Sequence, residues 1–175
     1  MKKWSFIGLA LLLCLMQGRA QEMAWERLPD LTVPRSGHAL LYLNGELTVI
    51  GGHTTGFVPA ATAEYYKDGK WLIINSLYHH DYSFFLPLRD GSVLVGGGMS
   101  EPFGVGQSLS VERYQPLTHS FEPVSILDRK RAGATAAELG SGTILVSGNW
   151  YADDALEQYS AQRGRRLYPN SLKGR

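Results

Sequence analysis

Arg35-Ser36-Gly37-His38-Ala39, Asn44-Gly45, Val49-Ile50-Gly51-Gly52, Glu64-Tyr65-Tyr66 and Trp71 form a pattern that returns twice in this chain. The second copy reads His80-Asp81-Tyr82-Ser83, Asp90-Gly91, Leu94-Val95-Gly96-Gly97, Glu112-Arg113-Tyr114 and Phe121. The third reads Arg131-Ala132-Gly133-Ala134, Ser141-Gly142, Leu145-Val146-Ser147-Gly148, Glu157-Gln158-Tyr159 and Leu167. A repeat of roughly fifty residues means one supersecondary unit used three times, each burying its faces against its neighbours.

Turn chemistry divides each copy into four strands. Residues 35–43 form the first strand, and Asn44-Gly45 supplies the positive φ angles of a type I′ hairpin. Residues 46–50 return as the second strand, and Gly51-Gly52 ends it. Residues 63–66 give the third, and Asp68-Gly69 turns the chain into a fourth beginning at Lys70-Trp71. In copy two Asp90-Gly91 is placed at the position of Asn44-Gly45, so that Gly51-Gly52, Gly96-Gly97 and Ser147-Gly148 should be equivalent. Strands such as 47–50 and 93–95 are apolar on both faces and need cover on both sides. Pro87 within a first strand requires that strand to be an edge.

These residues resemble kelch repeats, the four-stranded blades of a β-propeller. The resemblance rests on Gly51, Gly52, Gly96, Gly97 and Gly148 after the second strands, on Tyr66, Tyr114 and Tyr159, and on the following Trp71 and Phe121. The stretch 88–97 is similar to galactose-oxidase-type kelch repeats in particular. The resemblance implies an all-β partial propeller of about three blades, with repeats near 25–70, 71–120 and 121–167 of a 21–175 segment. The resemblance implies a ring of about six or seven blades at roughly fifty residues each, so the chain reads as about half a ring: a truncated frame, or an arc that self-associates through exposed blade faces.

Residues 1–20 read as a secretory signal peptide. Lys2 and Lys3 precede the apolar run 4–16, and Gly18 and Ala20 are the small residues of a cleavage site. Export to the periplasm or the extracellular space follows. Cys14, the single cysteine, lies in this leader, so no disulfide, thiolate site or cysteine-linked tyrosine is expected in the mature chain. Removing Lys2, Lys3 and Arg19 from 17 basic residues leaves 14 against 16 acidic ones, a charge near −2 that supports neither a nucleic-acid nor a membrane-surface partner.

The resemblance puts the ligand face on loops entering the first strands and leaving the second strands. Arg35, His80 and Arg131 then occupy equivalent positions beside one channel mouth, with His53 and Asn149 on the neighbouring loops. Two guanidiniums and an imidazole suit an anion, because Arg presents paired donors in a planar fork; the alternative is that each Arg bonds carbonyls of the neighbouring blade. Adjacent His79 and His80 on an extended segment point to opposite faces, and no cluster meets a metal-ligand count, so neither metal nor cofactor is expected. Glu64, Glu112 and Glu157 recur in every copy, which favours a structural role, and Ser36, Ser83 and Ser147 show no nucleophile elbow. These features favour a binding or scaffold module for a carbohydrate, an anionic ligand or a protein. The alternative is the first part of a kelch-fold carbohydrate-active enzyme, epimerase-like or oxidase-like.

Overall fold

Residues 24–150, 155–160 and the backbone of 164–168 are described by the structure, a computed structural model. The leader with Cys14 lies outside these residues. The described residues form three four-stranded antiparallel sheets and two short two-stranded ribbons. In blade one, β1 (Ala39–Leu43) and β2 (Glu46–Ile50) are followed by a two-stranded ribbon, β3 (His53–Thr54) and β4 (Val58–Pro59), then by β5 (Thr62–Lys67) and β6 (Lys70–Asn75). Blade two repeats this with β7 (Phe84–Pro87), β8 (Val93–Gly96), the ribbon β9 (Met99–Glu101) and β10 (Val105–Gln107), β11 (Ser110–Gln115) and β12 (Ser120–Ile126). Blade three contains β13 (Thr135–Glu138), β14 (Ile144–Ser147), β15 (Leu156–Ser160) and β16 (Gly164–Tyr168). Each sheet runs in simple up-and-down order, β1-β2-β5-β6 in the first. The sheets are therefore offset from frames cut at 70 and 120, since β6 and β12 close the first and second sheets beyond those points.

Pro87 lies in β7, an edge strand, where its missing N–H breaks no ladder. Asn44 and Gly45 take φ of 50° and 85°, and Asp68 and Gly69 take 50° and 80°, as two-residue hairpins demand. The hairpins of blades two and three depart from expectation. Leu88 N donates to Ser92 O and Gly91 N to Leu88 O, so the loop is Arg89-Asp90-Gly91, one residue longer than Asn44-Gly45. Leu139 N to Thr143 O and Gly142 N to Leu139 O repeat this in blade three.

The extra residue moves the register of everything after it. Ala39 pairs with Ile50, Phe84 with Gly96 and Thr135 with Ser147. The true equivalents of Gly51-Gly52 are therefore Gly97-Gly98 and Gly148-Asn149, not Gly96-Gly97 and Ser147-Gly148. At the outer edge, Tyr66 pairs with Trp71 and Tyr114 with Phe121, whereas Tyr159 pairs with Arg165 and Leu167 with Glu157. Leu167 does not hold the aromatic position.

The corrected register explains the glycines. Gly52 N donates to His80 O at 2.7 Å and Gly98 N to Arg131 O at 2.5 Å, so each second strand ends against the first residues of the next blade. A Cβ on Gly51 would run into His80 O, and one on Gly97 would lie 2.5 Å from Arg131 O; both glycines have positive φ. At Gly148, with no following blade among the described residues, a Cβ would meet nothing nearer than 3.8 Å.

Two apolar layers hold the blades together. Ile50, Ala63 and Ile74 of blade one pack on Val93, Val95 and Tyr114 of blade two. Phe84, Leu94 and Val111 of blade two pack with Ile144 and Val146 of blade three. All of β8 is buried, with Val93 and Val95 facing one neighbour and Leu94 the other. The outer face of blade one leaves Leu40 and Tyr42 exposed, the latter by 74%.

Candidate functional site

Each blade carries one internal latch built on the recurrent glutamate. In blade one Glu64 accepts the amides of Thr32 (2.7 Å) and Val33 (3.0 Å) and pairs with Arg35 Nη2 at 2.9 Å. Arg35 Nη1 also donates to Gly51 O and Thr62 O. In blade three Glu157 accepts the amides of Asp128 and Arg129 and pairs with Arg131 Nε at 2.8 Å. Arg131 Nη1 and Nη2 donate to Gly148 O and Ala155 O. In blade two His80 replaces the arginine: its Nε2 meets Glu112 Oε1, and Glu112 accepts Leu77 N. The glutamates thus bond backbone amides, as their recurrence indicates.

This geometry corrects the reading of Arg35, His80 and Arg131 as a convergent anion site. All three side chains are fully buried. The two arginines direct their donors at a carboxylate and carbonyls of their own blade, where a buried guanidinium must find partners, and His80 is held by Glu112 and Ser83. Arg35 borders the loop cavity described next only through its backbone, since its side chain has no exposed surface. Asn149 is half-buried and joins two loops: its Oδ1 accepts Gln107 Nε2 at 2.7 Å, and its Nδ2 donates to Lys130 O at 3.0 Å. Of the five candidate ligand residues, His53 lines an open cavity.

That cavity, of about 370 Å³, opens between the loop entering β1 and the β3–β4 ribbon, against Pro34, Ser36, His53, Thr55, Gly56 and Phe57. Ser36 and His53 are bridged through both backbone amides, which fixes their side chains next to each other. Ser36 Oγ lies 2.8 Å from His53 Nε2, and His53 Nδ1 lies 2.8 Å from Asp81 Oδ1. Asp81 comes from the loop entering blade two and is fully buried. Burial pushes its carboxyl above the usual aspartate value, opposed by the hydrogen bond from His53. Gly37 makes room for the pair: with φ of 67°, a Cβ there would lie 3.3 Å from Asp81 Oδ1 and 3.4 Å from His53 Nδ1.

Aromatic rings continue from this point across all three blades. The centroid of Phe57 lies 4.7 Å from that of His53, Tyr82 lies 5.7 Å from His53, and Trp150 lies 4.3 Å from Tyr82. Phe57 is 51% exposed and Trp150 is 53% exposed. Phe103 and Val105 add exposed apolar surface from the ribbon of blade two, Phe103 at 80%. Ser36, Asp81, Phe57, Phe103 and Trp150 lie on the loops that the sequence assigns to the ligand face, although none of them stood out as a site residue, and Tyr82 lies just past such a loop. Ser36 and Asp81 do sit at the same repeat position, immediately after Arg35 and His80, and that pairing was the available signal. Among the described residues no group of three or more His, Cys, Asp or Glu is placed to hold a metal ion.

No protein-family model matches the chain. Among curated proteins it is similar to an F-box/kelch-repeat protein of Arabidopsis thaliana, with 33% identity over 93 residues. The matched stretch is 52% of this chain and 24% of that protein, so the chain covers about a quarter of its relative. The chain is thus distantly similar to a kelch-repeat protein, and its four-stranded antiparallel sheets have the form of propeller blades.

Proposed function

We propose that this chain is an exported kelch-repeat binding module that takes a segment of a partner protein on its loop face. The observation that carries the reading is the apolar surface of Phe57, Phe103, Val105 and Trp150, drawn from loops that leave the second strands of all three blades. Exposed aromatic residues grouped on one face, rimmed by polar groups, are what protein interfaces use as anchors. The burial of Arg35, His80 and Arg131 removes the support for an anionic ligand at their side chains. Export rests on Lys2, Lys3, the apolar run 4–16 and the small residues Gly18 and Ala20.

Selection of random peptides on the immobilised full chain, followed by affinity measurement, tests this reading. Trp150→Ala and Phe103→Ala should each weaken binding of the selected peptides about tenfold or more, the usual effect of removing an aromatic anchor. Leu117→Ala, in the hairpin at the opposite end of blade two, should leave it unchanged. Peptides that bind equally well to Trp150→Ala and Phe103→Ala would refute the assignment. A carbohydrate that competes at Trp150 would replace the partner class while keeping the face.

A further inference from the structure

We propose that Ser36, His53 and Asp81 form a nucleophilic relay, and that the loop cavity can carry acyl transfer from small carboxylic esters. The protonation pattern follows from the contacts. An ionised carboxylate only accepts, so Asp81 Oδ1 accepts a hydrogen bond from His53 Nδ1–H. His53 Nε2 is then the acceptor, and the Ser36 hydroxyl donates to it. That is the arrangement in which an imidazole acts as general base toward a serine, recognised by geometry and roles on unrelated folds. Ser36 is exposed and borders the cavity, His53 is nearly buried with Phe57 and Tyr82 near its ring, and Asp81 is fully buried. Access to solvent therefore decreases from nucleophile to base to orienting carboxylate.

The repeat provides an internal comparison. By register, Ser36 corresponds to Asp81 and Ala132, and His53 corresponds to Met99 and Trp150. The junction between blades two and three thus packs with Met99 and Ala132 where the first junction has His53 and Asp81. A polar relay is not needed to seat one blade on the next. The glutamate latch, by contrast, is present in every blade, as a structural device should be. The relay also has an energetic cost, because Asp81 is buried and its Oδ2 has no hydrogen-bond partner.

In the reaction Ser36 Oγ adds to the ester carbonyl carbon while its proton passes to His53 Nε2. Asp81 orients the imidazole and stabilises its charged form. Collapse of the adduct breaks the carbon–alkoxy bond, and the departing oxygen takes the proton from His53 and leaves as the alcohol. Water then adds to the Ser36 ester, giving a proton to His53. That proton returns to Ser36 Oγ as the carboxylic acid is released.

A fluorophosphonate probe tests this on the full chain. Ser36 Oγ would displace fluoride at phosphorus, and mass spectrometry would place the adduct. The expected result is labelling of Ser36, none at this position in Ser36→Ala, and a rate about a hundredfold or more lower in His53→Ala. Ser36→Cys keeps His53 in place and offers a second readout should His53→Ala fail to fold. Its alkylation should persist near pH 6, well below the ordinary thiol range of about 8.5, because imidazole stabilises the thiolate. Failure to label Ser36, a rate unaffected by His53→Ala in folded protein, or an ordinary thiol profile for Ser36→Cys would each overturn the proposal. Peptide binding that survives such a result would leave the scaffold reading intact, so the two can fail separately.

Discussion

Replacing Arg131 by Met should destabilise the chain without any ligand being present. The guanidinium is fully buried and donates to Glu157, Gly148 O and Ala155 O, each at 2.8 or 2.9 Å. Methionine fills similar space and offers no donor. Glu157 then remains as a nearly buried carboxylate that keeps only the Asp128 and Arg129 amides among the partners described above. Removing one member of a buried pair costs about 3–5 kcal/mol, and each carbonyl that loses a donor adds about 1 kcal/mol. The retained amides offset part of this, so a loss of about 3–4 kcal/mol is expected. Against a total stability of about 5–15 kcal/mol, that is a large fraction. Urea unfolding of the full chain should show it as a midpoint shift of at least about 1 M, given slopes of about 1–3 kcal/mol/M. Adding Glu157→Leu removes the stranded charge. The double variant should therefore lose at least about 2 kcal/mol less than the sum of the two single losses. A loss under about 1 kcal/mol for Arg131→Met, or strict additivity in the double variant, would refute the latch and return Arg131 to the list of ligand candidates.

Gly97→Ala should cost at least about 2 kcal/mol, because the left-handed backbone alone costs about 1–2 kcal/mol and Arg131 O blocks the new methyl. Gly45→Ala, also at positive φ but with nothing within 4 Å, should cost only the backbone share, as thermal unfolding of the two variants would show. The Asp81 carboxyl titrates above its unfolded value, so the folded state binds the extra proton. Its contribution to stability is present below the unfolded value of about 3.9 and is lost as pH rises through the folded one. Asp81→Asn should flatten this fall in a series of melting curves from acid to neutral pH; an unchanged pH dependence would contradict it. Mass spectrometry of exported protein should find a mature chain beginning at Gln21, and a chain starting at Met1 would exclude cleavage after Ala20.

Sequence alone determined the repeat, the class of fold and the turn chemistry. Asn44-Gly45 and Asp68-Gly69 admit one kind of hairpin, and the apolar run in β8 requires a neighbour on each face. Those are local consequences of backbone freedom and side-chain alternation, so they are legible one residue at a time. The equivalence of Gly51-Gly52 with Gly97-Gly98 was not legible, because a three-residue loop around Asp90 and a two-residue loop at Asn44 look alike until the strand pairs are seen. Nor was the fate of Arg35 and Arg131. A strand-start arginine can face a channel or turn back onto Glu64 or Glu157, and only the position of the third strand decides between them. The relay is tertiary in the same sense. Ser36, His53 and Asp81 come from two blade-entry loops and the ribbon strand β3, and they meet because Gly37 leaves space beside them and because Gly51 lets the second blade pack closely on the first.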